Sequence, residues 1–487
     1  MLESNVYERA RLARDPRFDG QFYVGVTSTG IYCRPICPAN APKRENVRFF
    51  PSAAAASEAG FRPCLRCRPE CAPGTPAWNG TSTTVRRGLR LISGGALDDG
   101  NVEYLAERLG VTSRHLRRLF TRHVGASPLA VAHTQRLHFA KRLIDETTLP
   151  MARIAEAAGY GSIRRFNDAF RKTYGRSPRE LRKAGEESPL TGTSATLTVR
   201  LPYRPPFDWD AMCRFFVDRA TPGVEAIVGK TYFRTISTGG DHGVVEIAPD
   251  RRDGYLSLTL HSVNTNALFE TVQKAREVFD LDAPIGEITE TLRGDPALAR
   301  LLRSCPGIRV PGSWDGFELT VRAILGQQVS VKAATTLAGR IAAKYGARLE
   351  LPGDDLHPSL THLFPLPEQL KRARFNNIGL VRARADTIRR VAAAVHSGEL
   401  QFDIAGDPAA LCEALVAIKG VGAWTAQYVA MRAMKNPDAF PASDLGLLKA
   451  SAGCNTPNEL QERAEKWRPW RAYAAMLLWS SLPGSGG

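Results

Sequence analysis

Apolar side chains recur at near-helical spacing on both sides of two glycines, Gly420 and Gly422, near the end of the chain. The spacing predicts two helices that meet at these glycines, where the absence of a side chain lets another backbone approach closely. Backbone N–H groups at the start of the second helix suit a DNA phosphate. The segment therefore predicts a helix-hairpin-helix that holds DNA without reading its sequence. The apolar positions are Leu415, Ile418, Val421, Ala426 and Val429.

Apolar and polar residues alternate in two stretches in the middle of the chain, 196–201 and 254–260. This period of two predicts half-buried strands, and the residues between them predict a helix over 209–220. A polar stretch with Gly, Ser and Thr at 186–194 predicts a linker before the first strand. The middle of the chain is therefore expected to form an α+β domain over residues 192–305, with a packing role and no chemistry.

A helix, a glycine turn and a second helix are predicted over 105–116, and the pattern returns about fifty residues later at 154–162. A longer helix is predicted between them at 129–145. Two such units predict recognition helices that enter successive major-groove faces about 34 Å apart. Each arginine in them has an alternative role as a solvated or phosphate-contacting side chain that reads no base. The candidate DNA contacts are Arg114, His115, Arg117, Arg164, Arg165 and Asn167.

The composition limits the possible partners. A chain of 487 residues with 43% hydrophobic residues predicts about three or four globular domains. The 65 Lys and Arg residues outnumber the 49 Asp and Glu residues, and the net charge of +16 favours a polyanionic partner. The first twenty residues are charged and no apolar run reaches membrane length. We therefore expect neither a signal peptide nor a membrane partner.

Five of the nine cysteines lie between Cys33 and Cys71. Two pairs in this region have the close spacing of zinc ligands and can supply the four thiolates of a tetrahedral site. The alternatives are a purely structural zinc and a site in which Cys71 replaces one of the four. The predicted ligands are Cys33, Cys37, Cys64 and Cys67. The cysteines expected to be small buried side chains are Cys213, Cys305, Cys412 and Cys454.

The segments 27–37, 44–47 and 60–67 resemble the N-terminal domain of the Ada family. The resemblance implies that Cys33 is both a zinc ligand and the nucleophile that removes a methyl group from a DNA methylphosphotriester. It also implies that Thr29 and Arg62 contact the DNA backbone. Asn40 stands where the family has an arginine, and it is the third candidate contact.

The chemistry of such a site is consistent with one turnover. Zinc keeps the sulfurs as thiolates near neutral pH, and four thiolates on one dication leave the centre negative and nucleophilic. Methylation of Cys33 would remove one negative charge from a surface that meets phosphate. Tighter DNA binding after methylation is the expected consequence.

Residues 84–185 resemble the AraC-type DNA-binding domain, and the second helix-turn-helix unit carries the resemblance most closely. Joined to a methyl-accepting zinc module, this domain implies a transcription activator that responds to alkylation. The resemblance places the protein in a bacterial cytoplasm, in association with the nucleoid. Double-stranded DNA is the expected partner, and RNA polymerase is a further candidate.

Asp444 follows the hairpin and stands where the next helix is expected to begin. Its spacing alone favours a helix N-cap. The segments 306–307, 321–330 and 467–474, with the hairpin, resemble the AlkA-type helix-hairpin-helix DNA glycosylases, and 201–209 resembles the opening of their first domain. This resemblance covers residues from about 306 to 480 and implies that Asp444 is the catalytic carboxylate.

A glycosylase flips its base out of the stack and stabilises positive charge on the sugar as the bond breaks. An alkylated cationic base is already a good leaving group, so one carboxylate can suffice. The resemblance implies an aromatic pocket of Trp424, Tyr428 and Trp479, with Gln327 near the flipped base, although core packing is the alternative for each aromatic residue. Gln328 stands where the best-known member has a leucine wedge.

Three absences narrow the expected activity. No lysine stands at the position of Trp424, so base release without strand cleavage is expected. Only Cys454 follows Asp444, so no iron–sulfur cluster is expected, and no organic cofactor is implied. The chain has no Pro-Cys-His-Arg segment, so transfer from O6-alkylguanine is not expected.

The chain is therefore expected to be a multidomain, mainly α protein with an α+β middle domain. The predicted domains are a small α/β zinc methyl-acceptor module (1–78), a double helix-turn-helix (84–185), the α+β domain (192–305) and an all-α helix-hairpin-helix glycosylase domain (306–487). The expected function is alkylation-responsive activation combined with 3-methyladenine-type base excision. The alternative is a regulator whose glycosylase half serves only as a DNA clamp.

Overall fold

The computed structural model describes residues 4–73, 83–97, 101–182, 196–238, 240–261, 267–350, 359–402 and 406–482. The predicted linker at 186–194 lies outside these residues. The predicted fold class is confirmed, because helices dominate and the larger of the two sheets lies in the middle of the chain. In the described residues, no helix is long and apolar enough to cross a membrane.

The N-terminal module is a four-stranded sheet with two short helices. The parallel pairing of its second and fourth strands aligns Ile31 with Arg62 and Tyr32 with Pro63. The next residues on the two strands are cysteines, so the pairing brings the two cysteine pairs together. The elements are α1 (Ser4–Leu12), β1 (Tyr23–Val26), β2 (Ile31–Cys33), β3 (Val47–Phe50), α2 (Ala53–Glu58) and β4 (Arg62–Pro63), in the sheet order β3-β1-β2-β4.

Both predicted helix-turn-helix units are present. Thr112 and Ser162 cap the recognition helices with side-chain hydrogen bonds, and Gly110 and Gly159 turn the chain at φ of +69° and +73°. The helix predicted at 129–145 extends one residue further at each end. The helices are α3 (Thr83–Ser93), α4 (Val102–Arg108), α5 (Ser113–Val124), α6 (Pro128–Glu146), α7 (Met151–Ala157), α8 (Ile163–Tyr174) and α9 (Pro178–Leu181).

The middle of the chain forms an antiparallel sheet in the order β5-β9-β8-β7-β6. The helix predicted over 209–220 ends earlier, at Val217, because Pro222 disfavours helical backbone at Thr221 and the chain turns into the next strand. The elements are β5 (Thr196–Pro202), α10 (Trp209–Val217), β6 (Glu225–Val228), β7 (Thr231–Thr238), β8 (Asp241–Pro249), β9 (Tyr255–His261) and α11 (Leu268–Val278).

The C-terminal helices form two cores around the hairpin. One contains side chains from α14, α15 and α17–α19, and the other joins α12 and α13 to α20–α22. The helices are α12 (Ile285–Leu292), α13 (Pro296–Ser304), α14 (Gly316–Leu325), α15 (Val331–Tyr345), α16 (Pro367–Leu370), α17 (Arg382–Ser397), α18 (Pro408–Ala417), α19 (Ala423–Arg432), α20 (Leu445–Ala450), α21 (Pro457–Ala464) and α22 (Arg471–Ser480).

The long helix α6 joins the two halves of the chain. The Tyr32 hydroxyl of the zinc module lies 2.9 Å from His138 Nε2 on this helix. One position further along, Phe139 packs edge to face on Phe269 of α11, with ring centroids 4.8 Å apart. One apolar core contains side chains of α6, α8 and the five-stranded sheet. The N-terminal half, which ends with α9, and the C-terminal half, which begins with β5, therefore share buried surface.

Candidate active sites

The first site is a cluster of four cysteine sulfurs. Cys33 ends β2, Cys37 follows a turn, and Cys64 and Cys67 follow β4; their Sγ atoms all lie within 4.8 Å of one another. Tetrahedral zinc with bonds of about 2.3 Å needs sulfurs about 3.8 Å apart, so the donor set fits zinc. Cys71 is outside this cluster, and burial raises the pKa of its thiol to about 12.

Backbone and arginine donors support one side of the cluster. The Arg34 N–H donates to Cys67 Sγ at 3.3 Å, and Arg34 Nη1 donates to the Cys67 carbonyl at 3.2 Å. Arg34 is buried and forms an ion pair with Asp19. A hydrogen bond to a thiolate withdraws electron density, so Cys67 is a weaker nucleophile than a thiolate without such a donor.

The predicted backbone contacts of this module lie at its surface. Thr29 lies in the β1–β2 turn, Arg62 begins β4 and Asn40 follows the second cysteine, and all three are exposed. The pairing of β2 with β4 places Arg62 beside Ile31, two residues before Cys33.

The recognition helices also expose their first turns. Arg114 and Arg164 are the second residues of α5 and α8, and both side chains are exposed. Arg117 is exposed beside Glu103, which accepts a hydrogen bond of 3.4 Å from it. The other three candidates lie nearby on the same helices, with Arg165 exposed and His115 and Asn167 half-buried.

The two hairpin glycines have different roles. Gly420 adopts φ of +100°, and a Cβ atom there would lie 2.0 Å from Thr387 Oγ1, so a side chain does not fit. Gly422 caps α19 and is exposed, and a Cβ atom there would meet no atom within 4 Å. The hairpin thus presents an open backbone surface to a partner. Gln327 Nε2 braces it by donating to the Gly420 carbonyl and to Thr425 Oγ1, each at 3.2 Å.

A cavity of about 500 Å³ lies between the hairpin helix α19 and the middle domain. The rings of Trp424 and Tyr428 stack at 5.2 Å with an interplanar angle of 10°, and Trp479 meets Tyr428 edge to face at 6.4 Å. These three predicted residues line the cavity together with Asp444. Gln327 is not among the described residues that line it, because its amide contacts the hairpin.

The Asp444 carboxylate both caps a helix and accepts hydrogen bonds from two indole rings. It caps α20 by accepting the Leu447 N–H at 2.9 Å, as the simpler interpretation of its spacing predicts. The same carboxylate accepts Trp424 Nε1 on Oδ2 at 2.7 Å and Trp479 Nε1 on Oδ1 at 2.9 Å. The carboxylate that caps α20 therefore also lines the aromatic cavity, where two indoles hold it by hydrogen bonds.

The cavity is also lined by residues that the sequence patterns did not single out. Phe215 and Arg219 lie at the end of α10, with the Arg219 guanidinium 4.2 Å from the Phe215 ring centroid. Arg322 of α14 donates to Glu225 at 2.9 Å, and Arg432 ends α19. No periodicity marks these residues, because their position depends on packing between domains.

Gln328 lies just after α14 and is exposed. Its φ is +56°, in the left-handed region that non-glycine residues seldom adopt. The preceding Gln327 carbonyl accepts a 2.6 Å hydrogen bond from Arg384 Nη2, which holds this turn. The turn projects Gln328 beside the hairpin that Gln327 braces.

Comparison with known families identifies four regions of the chain. They match the metal binding domain of Ada (7–70), a helix-turn-helix domain (105–184), the AlkA N-terminal domain (198–315) and the HhH-GPD superfamily of base excision DNA repair proteins (321–471). The fold and these matches define a helix-hairpin-helix DNA glycosylase joined to a zinc-binding, helix-turn-helix regulator.

Two relatives extend this assignment. The probable bifunctional transcriptional activator/DNA repair enzyme AlkA of Mycobacterium tuberculosis is 42% identical over 479 residues, which cover 97% of this chain and 95% of the relative. DNA-3-methyladenine glycosylase 2 of Escherichia coli is 35% identical over 282 residues, covering 57% of this chain and 95% of that enzyme. The chain belongs to the family of bifunctional transcriptional activator/DNA repair enzymes of the AlkA type.

One solved structure shares the fold of the repair half. The 3-methyladenine DNA-glycosylase from Archaeoglobus fulgidus has a TM-score of 0.50 and 24% sequence identity, covering 57% of this chain and 96% of its own. The likeness concerns the fold alone.

Proposed function

We propose that this protein is a transcription activator and DNA repair enzyme of the response to alkylation. It accepts a methyl group from DNA methylphosphotriesters on Cys33, binds promoters through its double helix-turn-helix, and hydrolyses the glycosidic bond of alkylated bases of the 3-methyladenine type. The observation that carries the repair activity is the Asp444 carboxylate, held by two indoles inside an aromatic cavity.

The methyl transfer follows from the thiolate cluster. Cys33 Sγ attacks the methyl carbon of the phosphotriester, the bond from that carbon to the ester oxygen breaks, and the electron pair stays on the phosphate. A zinc ion bound by Cys33, Cys37, Cys64 and Cys67 would keep the sulfurs ionised at neutral pH. The thioether product is stable, so the site acts once. Thr29, Arg62 and Asn40 are the proposed contacts with the DNA backbone.

Methylation changes the charge of the surface that meets DNA. A neutral thioether replaces a thiolate, so repulsion between the module and the phosphates decreases. Operator binding through Arg114 and Arg164 is then strengthened at a distance from the zinc site. Recruitment of RNA polymerase to the promoter is the proposed output. We place the protein in the bacterial cytoplasm, in association with the nucleoid.

Base excision uses the cavity and the hairpin together. The hairpin backbone at Gly420 and Gly422 holds the phosphates, and Gln328 approaches the gap left by the flipped base. The stacked rings of Trp424 and Tyr428 attract a cationic base. Asp444 stabilises positive charge on the sugar and orients the attacking water.

The reaction releases the base without cutting the strand. Water oxygen bonds to C1′, the electron pair of the glycosidic bond leaves with the base, and one proton of the water passes through Asp444 to solvent. Trp424 occupies the position at which a lysine would form a Schiff base, so no covalent sugar intermediate is formed. Trp479 completes the aromatic wall, and Gln327 keeps the hairpin in place.

Mass spectrometry of the full chain tests the methyl transfer. After incubation with an oligonucleotide that carries one methylphosphotriester, the peptide containing Cys33 should gain the mass of one methyl group. Cys33→Ala should abolish the gain, whereas Cys71→Ala, outside the cluster, should retain it. A methyl group on another cysteine, or none on wild type, would refute the assignment. Release of 3-methyladenine from methylated DNA tests the glycosylase part separately.

A further inference from the structure

The Tyr428 hydroxyl has an unusual partner inside the cavity. Arg432 is only 5% exposed, and its Nη1 donates to Tyr428 Oη at 2.7 Å. A guanidinium has donors and no acceptor, so the tyrosine oxygen must be the acceptor in this bond. The hydroxyl hydrogen of Tyr428 therefore points elsewhere, and it is available to a molecule in the cavity that Tyr428 lines.

Arg432 is held in this position by backbone carbonyls. Its Nε donates to the Pro311 carbonyl at 2.9 Å and its Nη2 to the Gly312 carbonyl at 2.8 Å. Within the described part of the chain, no carboxylate lies within ion-pair distance of Arg432. Its positive charge is therefore not neutralised by a partner, and it withdraws electron density from the Tyr428 oxygen.

The charges that face Tyr428 come from four elements: Arg432 on α19, Arg219 after α10, Arg322 on α14 and Asp444 before α20. Burial alone would raise the pKa of the Tyr428 hydroxyl, but Arg432, Arg219 and Arg322 together lower it below its ordinary value. A more acidic hydroxyl is a stronger hydrogen-bond donor.

The other hydroxyl groups of the cavity's described lining already donate to backbone carbonyls. This described lining contains no histidine, and its carboxyl groups are Asp444 and Asp208, which caps α10 by accepting the Ala211 N–H at 2.8 Å. The hydroxyls of Ser304, Ser480 and Thr335 donate to backbone carbonyls. Tyr428 is thus the described hydroxyl of this lining that keeps its hydrogen for a ligand.

We propose that Tyr428 is a further catalytic residue, which donates a hydrogen bond to the departing base, and that Arg432 is the positioning residue that polarises it. The inference rests on the proposed glycosylase activity and adds a second group to Asp444. A cationic base leaves as a neutral molecule and gains little from this bond. A neutral base leaves with negative charge on its ring nitrogens and carbonyl oxygen, and a polarised donor stabilises that charge.

The atoms of the step balance without a further reactant. The C1′–N bond breaks and its electron pair stays on the base, whose charge the Tyr428 O–H stabilises without losing its proton. Water adds to C1′ and gives one proton to Asp444 and then to solvent. The departing base takes one proton from solvent once it leaves the cavity.

Single-turnover excision by the full chain tests this role with two probes. One duplex carries a single 7-methylguanine, which is cationic, and the other carries a single hypoxanthine, which is neutral. Tyr428→Phe keeps the stacked ring and removes the donor. Its rate on hypoxanthine should fall on the order of 10²-fold and its rate on 7-methylguanine at least about tenfold less, so the ratio of the two rates is the readout. Tyr345→Phe, which removes a hydroxyl bonded to the Phe375 N–H outside the cavity, is the matched control.

Two further measurements distinguish polarisation of the Tyr428 hydroxyl by Arg432 from a purely structural role of Arg432. Arg432→Lys should slow hypoxanthine excision in the wild-type background and have no further effect in Tyr428→Phe, because both changes act through one hydroxyl. The rate of hypoxanthine excision should also fall at alkaline pH, where Tyr428 ionises. The pH–rate profile of Tyr428→Phe should lack this decrease.

The outcomes are distinct. A wild-type protein that releases neither base and no 3-methyladenine contradicts the proposed glycosylase function itself, whereas release of 3-methyladenine alone overturns only the role of the hydroxyl. A wild type that releases 7-methylguanine and not hypoxanthine, or a Tyr428→Phe variant that loses both bases equally, overturns the role of the hydroxyl and leaves the glycosylase assignment intact.

Discussion

The indole Nε1 of Trp424 donates a 2.7 Å hydrogen bond to Oδ2 of Asp444, twenty residues further along the chain. The same indole stacks on Tyr428 at 5.2 Å. One ring therefore contacts both the proposed catalytic carboxylate and the surface proposed to hold the base. Trp424 is thus the structural link between the Asp444 carboxylate and the stacked ring of Tyr428.

Trp424→Phe should keep the stacking surface and remove the hydrogen bond to Asp444. A hydrogen bond to a charged group contributes about 1.5–3 kcal/mol, so the rate of base release should fall roughly 10- to 100-fold. Single-turnover release of 3-methyladenine measures this. Affinity for undamaged DNA serves as the control and should not change. An unaltered excision rate would show that Asp444 acts without the hydrogen bond from the Trp424 indole.

Zinc content should depend on the four clustered cysteines and not on Cys71. Cys37→Ala removes one of four thiolates, and the remaining three should bind zinc much more weakly. Metal analysis of the purified full chain should give about one zinc per chain for wild type and for Cys71→Ala, and much less for Cys37→Ala. Full zinc content in Cys37→Ala, or loss of zinc in Cys71→Ala, would contradict the assignment of Cys37, and not Cys71, as a zinc ligand.

Arg204 should hold the zinc module against the repair half. This arginine is fully buried and donates to the Asp19 carbonyl at 2.9 Å and to the Asp282 carbonyl at 2.5 Å. Arg204→Met would remove both hydrogen bonds, and loss of the bond to the carbonyl of the buried Asp19 should cost roughly 1–3 kcal/mol. Urea unfolding, followed by zinc release and by tryptophan fluorescence, should give coincident transitions in wild type and separate transitions in the variant.

The exposed Arg251 offers a matched control for that experiment. Arg251→Met should keep the two transitions coincident, because its side chain is exposed. Coincident transitions in Arg204→Met, at the wild-type midpoint, would mean that the contact does not couple the halves.

Glu287 should make the protein less stable as pH rises. Burial raises the pKa of this carboxyl to about 7, with Arg204 opposing the change and Glu290 adding to it. Between its unfolded pKa of about 4.3 and about 7 the native state holds more protons, so the free energy of unfolding falls as pH increases across that window. Glu287→Gln should flatten this dependence, measured by urea unfolding at several pH values.

An exposed carboxyl on the neighbouring helix α11 gives the comparison. Glu270→Gln should keep the pH dependence of wild type, because its side chain is exposed. The same slope in Glu287→Gln as in wild type would assign the dependence to another group.

Local patterns were sufficient to predict two strands of the larger sheet, the helices of the helix-turn-helix units and of the hairpin, and the main chemical groups. The alternation at 196–201 and 254–260 predicted two strands, and the observed strands are Thr196–Pro202 and Tyr255–His261. The start of a helix after Asp444 followed from its capping chemistry, and the cysteine spacing predicted the four clustered sulfurs. These features depend on neighbours in the chain.

Features that depend on tertiary packing were not predictable in the same way. Phe215 and Arg219 reach the cavity from a different domain, and nothing in the helical pattern of α10 distinguishes them from ordinary core or surface residues. The polarisation of Tyr428 by Arg432 requires two residues one helical turn apart and also the carbonyl groups of a distant loop. The burial of Arg204 between the two halves runs against the usual exposure of arginine.

The most direct test of the central claim compares wild type with Asp444→Asn in base release from methylated duplex DNA. Asparagine keeps the size of the side chain and the capping oxygen, so the fold and DNA binding should be retained. Wild type should release 3-methyladenine, and the variant should bind the DNA without releasing the base. Equal release by both proteins would contradict the role of Asp444, and a wild type that binds DNA and releases nothing would make this half a DNA clamp.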